Sequence, residues 1–168
     1  MSRESNIEQL KRYENEPLFL GGKATSHRVT RADGATEDFL TGGYGHLLDE
    51  EESKLYPEGT EIPQSEVDRW FDTIDYPKAE KAAKQQAKDF NIERLTDALV
   101  SVNYQLGTKW HQKFPAAVKA LREGRNEDAA REVMLGNDGV TPSIWAQQTP
   151  VRATAFSDAI LSVPKKKV

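Results

Sequence analysis

Ile7 and Leu10, with Tyr13 as a third candidate, recur at helical spacing and predict a short amphipathic helix ending near Glu14. Ser5-Asn6-Ile7-Glu8 reads as a capping box at its start, with Ser5 as the cap and Glu8 reaching back. Pro17 and Gly21-Gly22 stop it. The period then changes: Thr25, His27 and Val29 alternate, Asp33-Gly34 marks a turn, and Phe39-Leu40-Thr41 follow. Lys23 to Gly45 therefore predicts a β-hairpin. Asp49-Glu50-Glu51-Glu52 reads as an exposed turn or a helix start, and Tyr56 to Thr60 as loop.

Helical spacing returns with Ser65, expected to cap a helix presenting Val67, Trp70, Phe71 and Ile74 on one face. Pro77 predicts a break or kink, because proline lacks a donor and crowds the preceding turn. Lys78–Phe90, with Ala79, Ala82, Ala83 and Ala87, continues as a weakly apolar helix suited to joining two lobes. Leu95, Ala98, Leu99, Val102 and Leu106 predict a buried central helix ending at Gly107. Phe114-Pro115 opens another, carrying Val118 and Leu121 and closed by Gly124, and Asn126 is expected to cap a third. Gly136 to Pro142 reads as loop and Ser143 to Gln147 as a short helical turn. Thr149-Pro150 is expected to cap a last helix through Ala155, Phe156 and Ile160.

The predicted class is α+β, in a single domain. A small hairpin lobe (about 15–64) is joined by a helix (about 65–90) to a helical lobe (about 91–162). That lobe also takes in the N-terminal helix 5–14, and a basic tail (163–168) follows.

Composition narrows the function classes. No run approaches the roughly 18 apolar residues of a membrane span, so no membrane insertion is expected. The polar start, Met1 to Asn6, lacks an apolar signal core, so no secretory address is expected. Cysteine is absent, which excludes disulfides, thiolate zinc sites and cysteine nucleophiles. His27, His46 and His111 do not sit at ligand spacing, so no metal and no cofactor are expected. The net charge of −4 argues against nucleic acid as partner, and Lys165-Lys166-Lys167 reads as a solvated end.

One pairing carries chemistry. Glu14 closes a helix, and the strand after it ends in Thr41-Gly42-Gly43-Tyr44-Gly45-His46-Leu47-Leu48. An acid at a helix end facing a hydroxyl on a glycine-lightened strand suits cleavage of a sugar–sugar bond. The glycines are expected to let a polymer lie against the backbone.

Four segments then carry a resemblance: Leu10 to Glu14; Thr41 to Leu48; Asp97-Ala98-Leu99 through Asn103-Tyr104-Gln105-Leu106-Gly107; and Trp145-Ala146-Gln147-Gln148-Thr149-Pro150-Val151-Arg152-Ala153. In order and approximate spacing they resemble the phage-type lysozymes of the T-even kind, glycoside hydrolase family 24, which hydrolyse bacterial peptidoglycan. The resemblance implies two lobes flanking a cleft and a cofactor-free muramidase. Its target would be the β-1,4 bond between N-acetylmuramic acid and N-acetylglucosamine. Glu14 would be the general acid, with Glu16 outside the matched register. Such an acid has to be protonated when substrate arrives, which partial burial favours. Thr41 would help hold the attacking water.

The chain departs from the family at Ala35, six residues before Thr41, where members usually carry an aspartate. The interval from Glu14 to Thr41 is also longer than usual. Inverting glycosidases hold their carboxyl groups roughly 6.5–9.5 Å apart. Asp33 is the choice for the second, from its turn position and shared strand parity with Thr41. Asp38, expected on the opposite face, and Glu37 are the alternatives.

The same resemblance offers Leu47, Tyr104, Gln105, Thr149 and Arg152 as substrate-binding residues. His46 is expected to form a structural pair with Asp75 or Asp72, and His27 to be half exposed. Trp70 and Trp145 read as core, while Trp110 stands between core and sugar platform. The implied partner is bacterial peptidoglycan, met by a monomer made in the bacterial cytoplasm. It would reach the wall by holin release, virion delivery or effector secretion, the last with an immunity protein as a further partner. Two rivals remain: a lytic transglycosylase using Glu14 alone, and a non-catalytic wall-binding module.

Overall fold

A computed structural model describes residues 2–30, 34–136 and 138–164. It divides into two compact units, the first ending at Pro77 and the second beginning at Lys78. The class is α+β, as predicted: the strands lie in the first unit, and helices dominate the second.

The first unit opens with helix α1 (Arg3–Phe19). Its cap is Ser2, whose Oγ accepts the Ser5 N–H at 3.1 Å, so the predicted cap Ser5 lies inside the first turn. The predicted stop near Glu14 is a kink rather than an end. Asn15 leaves helical geometry (φ −162°, ψ 81°), and one more turn follows through Phe19. Pro17 is tolerated because it sits in the opening turn of that restarted segment, where its missing N–H has no helical partner to lose.

Two small antiparallel sheets follow. Strand β1 (Ala24–Thr25) will pair with a later strand, while β2 (His27–Thr30), β3 (Thr36–Gly42) and β4 (His46–Leu47) form one sheet with β3 in the middle. Thr41 stands opposite His27 on one side and Leu47 on the other. The acidic run proves to be a helix start: Asp49 caps α2 (Glu50–Leu55) and Glu52 completes the capping box. Strand β5 (Glu61–Ile62) then closes onto β1.

Helix α3 (Gln64–Trp70) begins after Pro63 without a side-chain cap, so Ser65 does not take the role expected of it. A π-helical turn over Phe71–Asp75 leads into α4 (Tyr76–Asp89). The wider turn places the adjustment just ahead of Pro77, whose ring and missing donor would strain an ordinary helix. It also inserts one residue into the hydrophobic phase. Val67, Trp70 and Phe71 are buried as predicted, but Ile74 turns out to solvent and Tyr76 is buried in its place. From there Ala79, Ala83 and Ala87 resume the buried stripe.

In the second unit, α5 (Thr96–Leu106) ends at Gly107, which adopts φ +90°. Helices α6 (Pro115–Arg122), α7 (Asn126–Glu132), α8 (Ile144–Gln148) and α9 (Pro150–Leu161) follow. Helix α9 packs against α5, α7 and α8, and α7 packs against α6. Two expected caps are corrected. Asn126 is the first residue of α7 and donates instead to the Val163 carbonyl at 3.3 Å. Thr149 occupies the cap position of α9, but its hydroxyl donates back to the Trp145 carbonyl at 3.1 Å.

Trp110 belongs to the core, with ring centroids of Phe90, Phe114 and Phe156 at 6.2, 6.3 and 5.5 Å. Trp70 and Trp145 are buried as read. Beside Trp110 lies a buried amide network. Gln86 Oε1 accepts from Asn103 Nδ2 (2.7 Å) and Trp110 Nε1 (3.0 Å). Its Nε2 donates to Asn103 Oδ1 (2.9 Å) and the Thr108 carbonyl (3.2 Å). Both amide ends of Gln86 are thereby satisfied, which is what makes its burial tolerable.

Candidate active site

Glu14 is the last residue of α1 before the kink, and its side chain is half buried. The neighbouring Asn15 bonds in two directions. Its Oδ1 accepts the Leu18 N–H at 3.2 Å and its Nδ2 donates to the Gly43 carbonyl at 3.1 Å. The helix end that carries Glu14 is thus tied to the turn that follows Thr41.

Thr41 lies on the central strand, half buried, and its Oγ1 is shielded without a hydrogen-bond partner among the described residues. A buried hydroxyl left without a partner costs free energy. Leu47, directly opposite, is 55% exposed. His27, on the other side, is exposed rather than half exposed, with Nδ1 3.2 Å from the Thr25 carbonyl.

Gly42 and Gly43 do not leave the open backbone expected of them. A Cβ on Gly42 would lie 2.3 Å from Ile62 Cδ1, and one on Gly43 would meet Val67 Cγ1 at 3.1 Å. The unit's own core fills that space. Gly43 also needs its φ of +65°, which side-chain-bearing residues adopt rarely.

Of the second-carboxylate candidates, Asp33 lies outside the described residues. Glu37 is half buried on β3, and Asp38 is exposed. Asp38 lines a pocket of about 450 Å³ with Arg28, Phe39, Leu40, Leu48 and Asp49. The β2–β3 register shifts between Arg28 and Thr30, so that Glu37, Asp38 and Phe39 all fall against Val29.

His46 is buried and stacks on Trp70, with centroids 4.2 Å apart and planes at 18°. Its Nδ1 lies 2.7 Å from Asp75 Oδ2, the pairing anticipated; Asp72 is exposed. Sequence reasoning missed the second partner, Glu52 Oε1, 3.0 Å from Nε2. Burial alone would push the His46 pKa down, but the bonds to Asp75 and Glu52 outweigh it and the net direction is up. A glutamate six positions away gave no helical or strand spacing that would have flagged it.

In the second unit, Gln105, Trp145 and Thr149 form one cluster. Trp145 Nε1 donates to Gln105 Oε1 at 2.9 Å, and Gln105 Nε2 donates to Thr149 Oγ1 at 3.1 Å. These bonds fix the Gln105 amide and, among the described residues, leave one of its N–H groups for another acceptor. Tyr104 is half buried beside it. Arg152 Nη2 donates to the Ser101 hydroxyl (3.0 Å) and carbonyl (3.3 Å).

Among the described residues no cluster of three or more His, Asp or Glu side chains is placed to hold a metal ion. No described helix is long and apolar enough to cross a membrane.

Beyond this geometry, similarity to known proteins places the chain among the glycoside hydrolase-type enzymes. More narrowly, the model of the phage lysozyme family matches residues 24–140, more than half of the chain, and the chain belongs to that family. Family membership points to peptidoglycan hydrolysis at the bacterial cell wall. Among the curated proteins, none matches this chain. The matched stretch contains Thr41, Leu47, Tyr104 and Gln105, whereas Glu14, Thr149 and Arg152 lie outside it.

Proposed function

We propose that the protein is a muramidase, hydrolysing the β-1,4 bond between N-acetylmuramic acid and N-acetylglucosamine, with Glu14 as general acid. Glu14 protonates the leaving oxygen as an oxocarbenium-like state develops, and Thr41 helps steer water to the opposite face of the sugar. A carboxylate, Asp33 in our reading, takes the water's proton. Leu47, Tyr104, Gln105, Thr149 and Arg152 are the proposed sugar-binding residues. Gln105 is the strongest of these, because its amide is held rigid with a donor to spare.

The observation that carries the reading is the buried, unpartnered Thr41 hydroxyl on the strand whose following turn is bonded to the residue after Glu14. A buried polar atom without a protein partner suits a site that takes a water or a sugar oxygen. Ala35, where lysozymes of this kind usually carry aspartate, favours a second reading, a lytic transglycosylase in which Glu14 performs both proton transfers. Hydrolysis leaves reducing ends and transglycosylation leaves anhydro-muramyl ends. The protein is proposed to act on the wall as a monomer, delivered by holin release, a virion or a secretion assembly.

The test is clearing of outer-membrane-permeabilised bacteria by wild type, Glu14→Gln, Thr41→Ala, Asp33→Asn and Asp38→Asn, with product analysis. Removing a general acid costs on the order of 10²–10⁴ in rate. Glu14→Gln is expected to abolish clearing and Thr41→Ala to slow it at least about tenfold. Full clearing by Glu14→Gln rejects the assignment.

A further inference from the structure

The kink in α1 is held by one side chain. Asn15 takes an extended conformation between two helical stretches, and its Oδ1 caps the second by accepting the Leu18 N–H. That bond explains the kink but not the other half of the amide. Asn15 Nδ2 reaches across 28 positions of sequence to the Gly43 carbonyl at 3.1 Å. Gly43 adopts a left-handed conformation, and a Cβ there would meet Val67 Cγ1 at 3.1 Å. One end of the tether is therefore covalently next to Glu14, and the other is two residues beyond Thr41.

We propose that Asn15 is a positioning residue for the reaction: its amide holds the end of α1 at a set distance from the Thr41 strand, so that Glu14 and the Thr41 hydroxyl meet substrate in one geometry. The inference rests on the reading of Glu14 as the general acid. Consecutive Cα atoms are about 3.8 Å apart, so a displacement of the Asn15 backbone is passed almost undiminished to Glu14. Misplacing a reacting group by about 1 Å can cost on the order of a hundredfold in rate.

The cap and the tether can be separated by substitution. Asn15→Ser keeps a side-chain oxygen that caps the Leu18 N–H but loses the amide donor that reaches Gly43. Asn15→Ala loses both. Initial rates on purified peptidoglycan are measured over a range of substrate concentrations, alongside thermal midpoints.

Asn15→Ser is expected to lower kcat by roughly ten- to a hundredfold. KM should stay within about twofold and the midpoint close to wild type. Asn15→Ala should match that kcat and also melt earlier. A purely structural asparagine gives the opposite order, with Asn15→Ser fully active and only Asn15→Ala impaired, and that result overturns the inference. Glu14→Gln is run beside them. If it is inactive while Asn15→Ser turns over at the wild-type rate, the tether alone is refuted. If Glu14→Gln remains active, the general-acid reading falls and takes the positioning role with it.

Discussion

Replacing His46 by Gln tests the electrostatic arrangement at the base of the first unit. The imidazole sits between Asp75 (2.7 Å) and Glu52 (3.0 Å), against the face of Trp70. Removing one partner from a buried ion pair costs about 3–5 kcal/mol, since the stranded charge stays desolvated. Here the carboxylates retain some relief. The Asp75 side chain is 23% exposed, and Glu52 keeps the Asp49 N–H at 3.0 Å. A loss of about 2–4 kcal/mol follows, the lost stacking on Trp70 included. At about 2–4 °C per kcal/mol for a chain of this size, the thermal midpoint should fall by about 5–15 °C.

The pH dependence carries the sharper test. The folded pKa of His46 lies above its ordinary value of 6.5, so the folded state binds the proton more tightly than the unfolded one. The stabilisation is therefore fully present below pH 6.5, as long as the carboxylates stay ionised, and is lost as pH rises through the raised folded value. Thermal or urea unfolding of wild type and His46→Gln, followed by circular dichroism from pH 5.5 upward, should show a gap that is widest on the acid side and narrows with rising pH. A gap that is flat, or that grows with pH, refutes a charged His46.

Two further substitutions probe packing and polarity. Gly42→Ala drives a methyl into Ile62 Cδ1 and should destabilise by about 1–3 kcal/mol. Adding Ile62→Val removes that atom, so the double variant should melt higher than additivity allows, and strict additivity would show that the clash is not the cause. Gln86→Leu leaves the Trp110 indole N–H and the Asn103 carbonyl oxygen buried without Gln86, at about 1–3 kcal/mol for each stranded group. Chemical denaturation measures that loss, and a neutral result would mean the network contributes nothing net.

Local pattern carried much of the architecture. The switch from helical spacing to alternation marked the hairpin, the buried face of α3 was legible in Val67, Trp70 and Phe71, and Gly107 and Gly124 ended their helices as read. The pairing of His46 with Asp75 was also anticipated, and the glutamate, the threonine and their order along the chain were visible as letters. All of these follow from residues acting within a turn or two of themselves, or from spacing repeated often enough to define a face.

Interactions between distant segments set the rest. Pro17 does not end α1, because Asn15 kinks the chain just before it and caps the restarted turn, while the other half of its amide reaches Gly43. The π turn before Pro77 shifts the hydrophobic phase by one residue, exchanging Ile74 for Tyr76, because the helix must keep one buried face through a residue that cannot donate. Gly42 and Gly43 are small on account of Ile62 and Val67, and Gln86 is buried on account of Asn103 and Trp110. Each of these is a choice of partner in space. A one-dimensional string records which residues favour helix or strand, but not which buried atom is left to be filled, paired or kept dry.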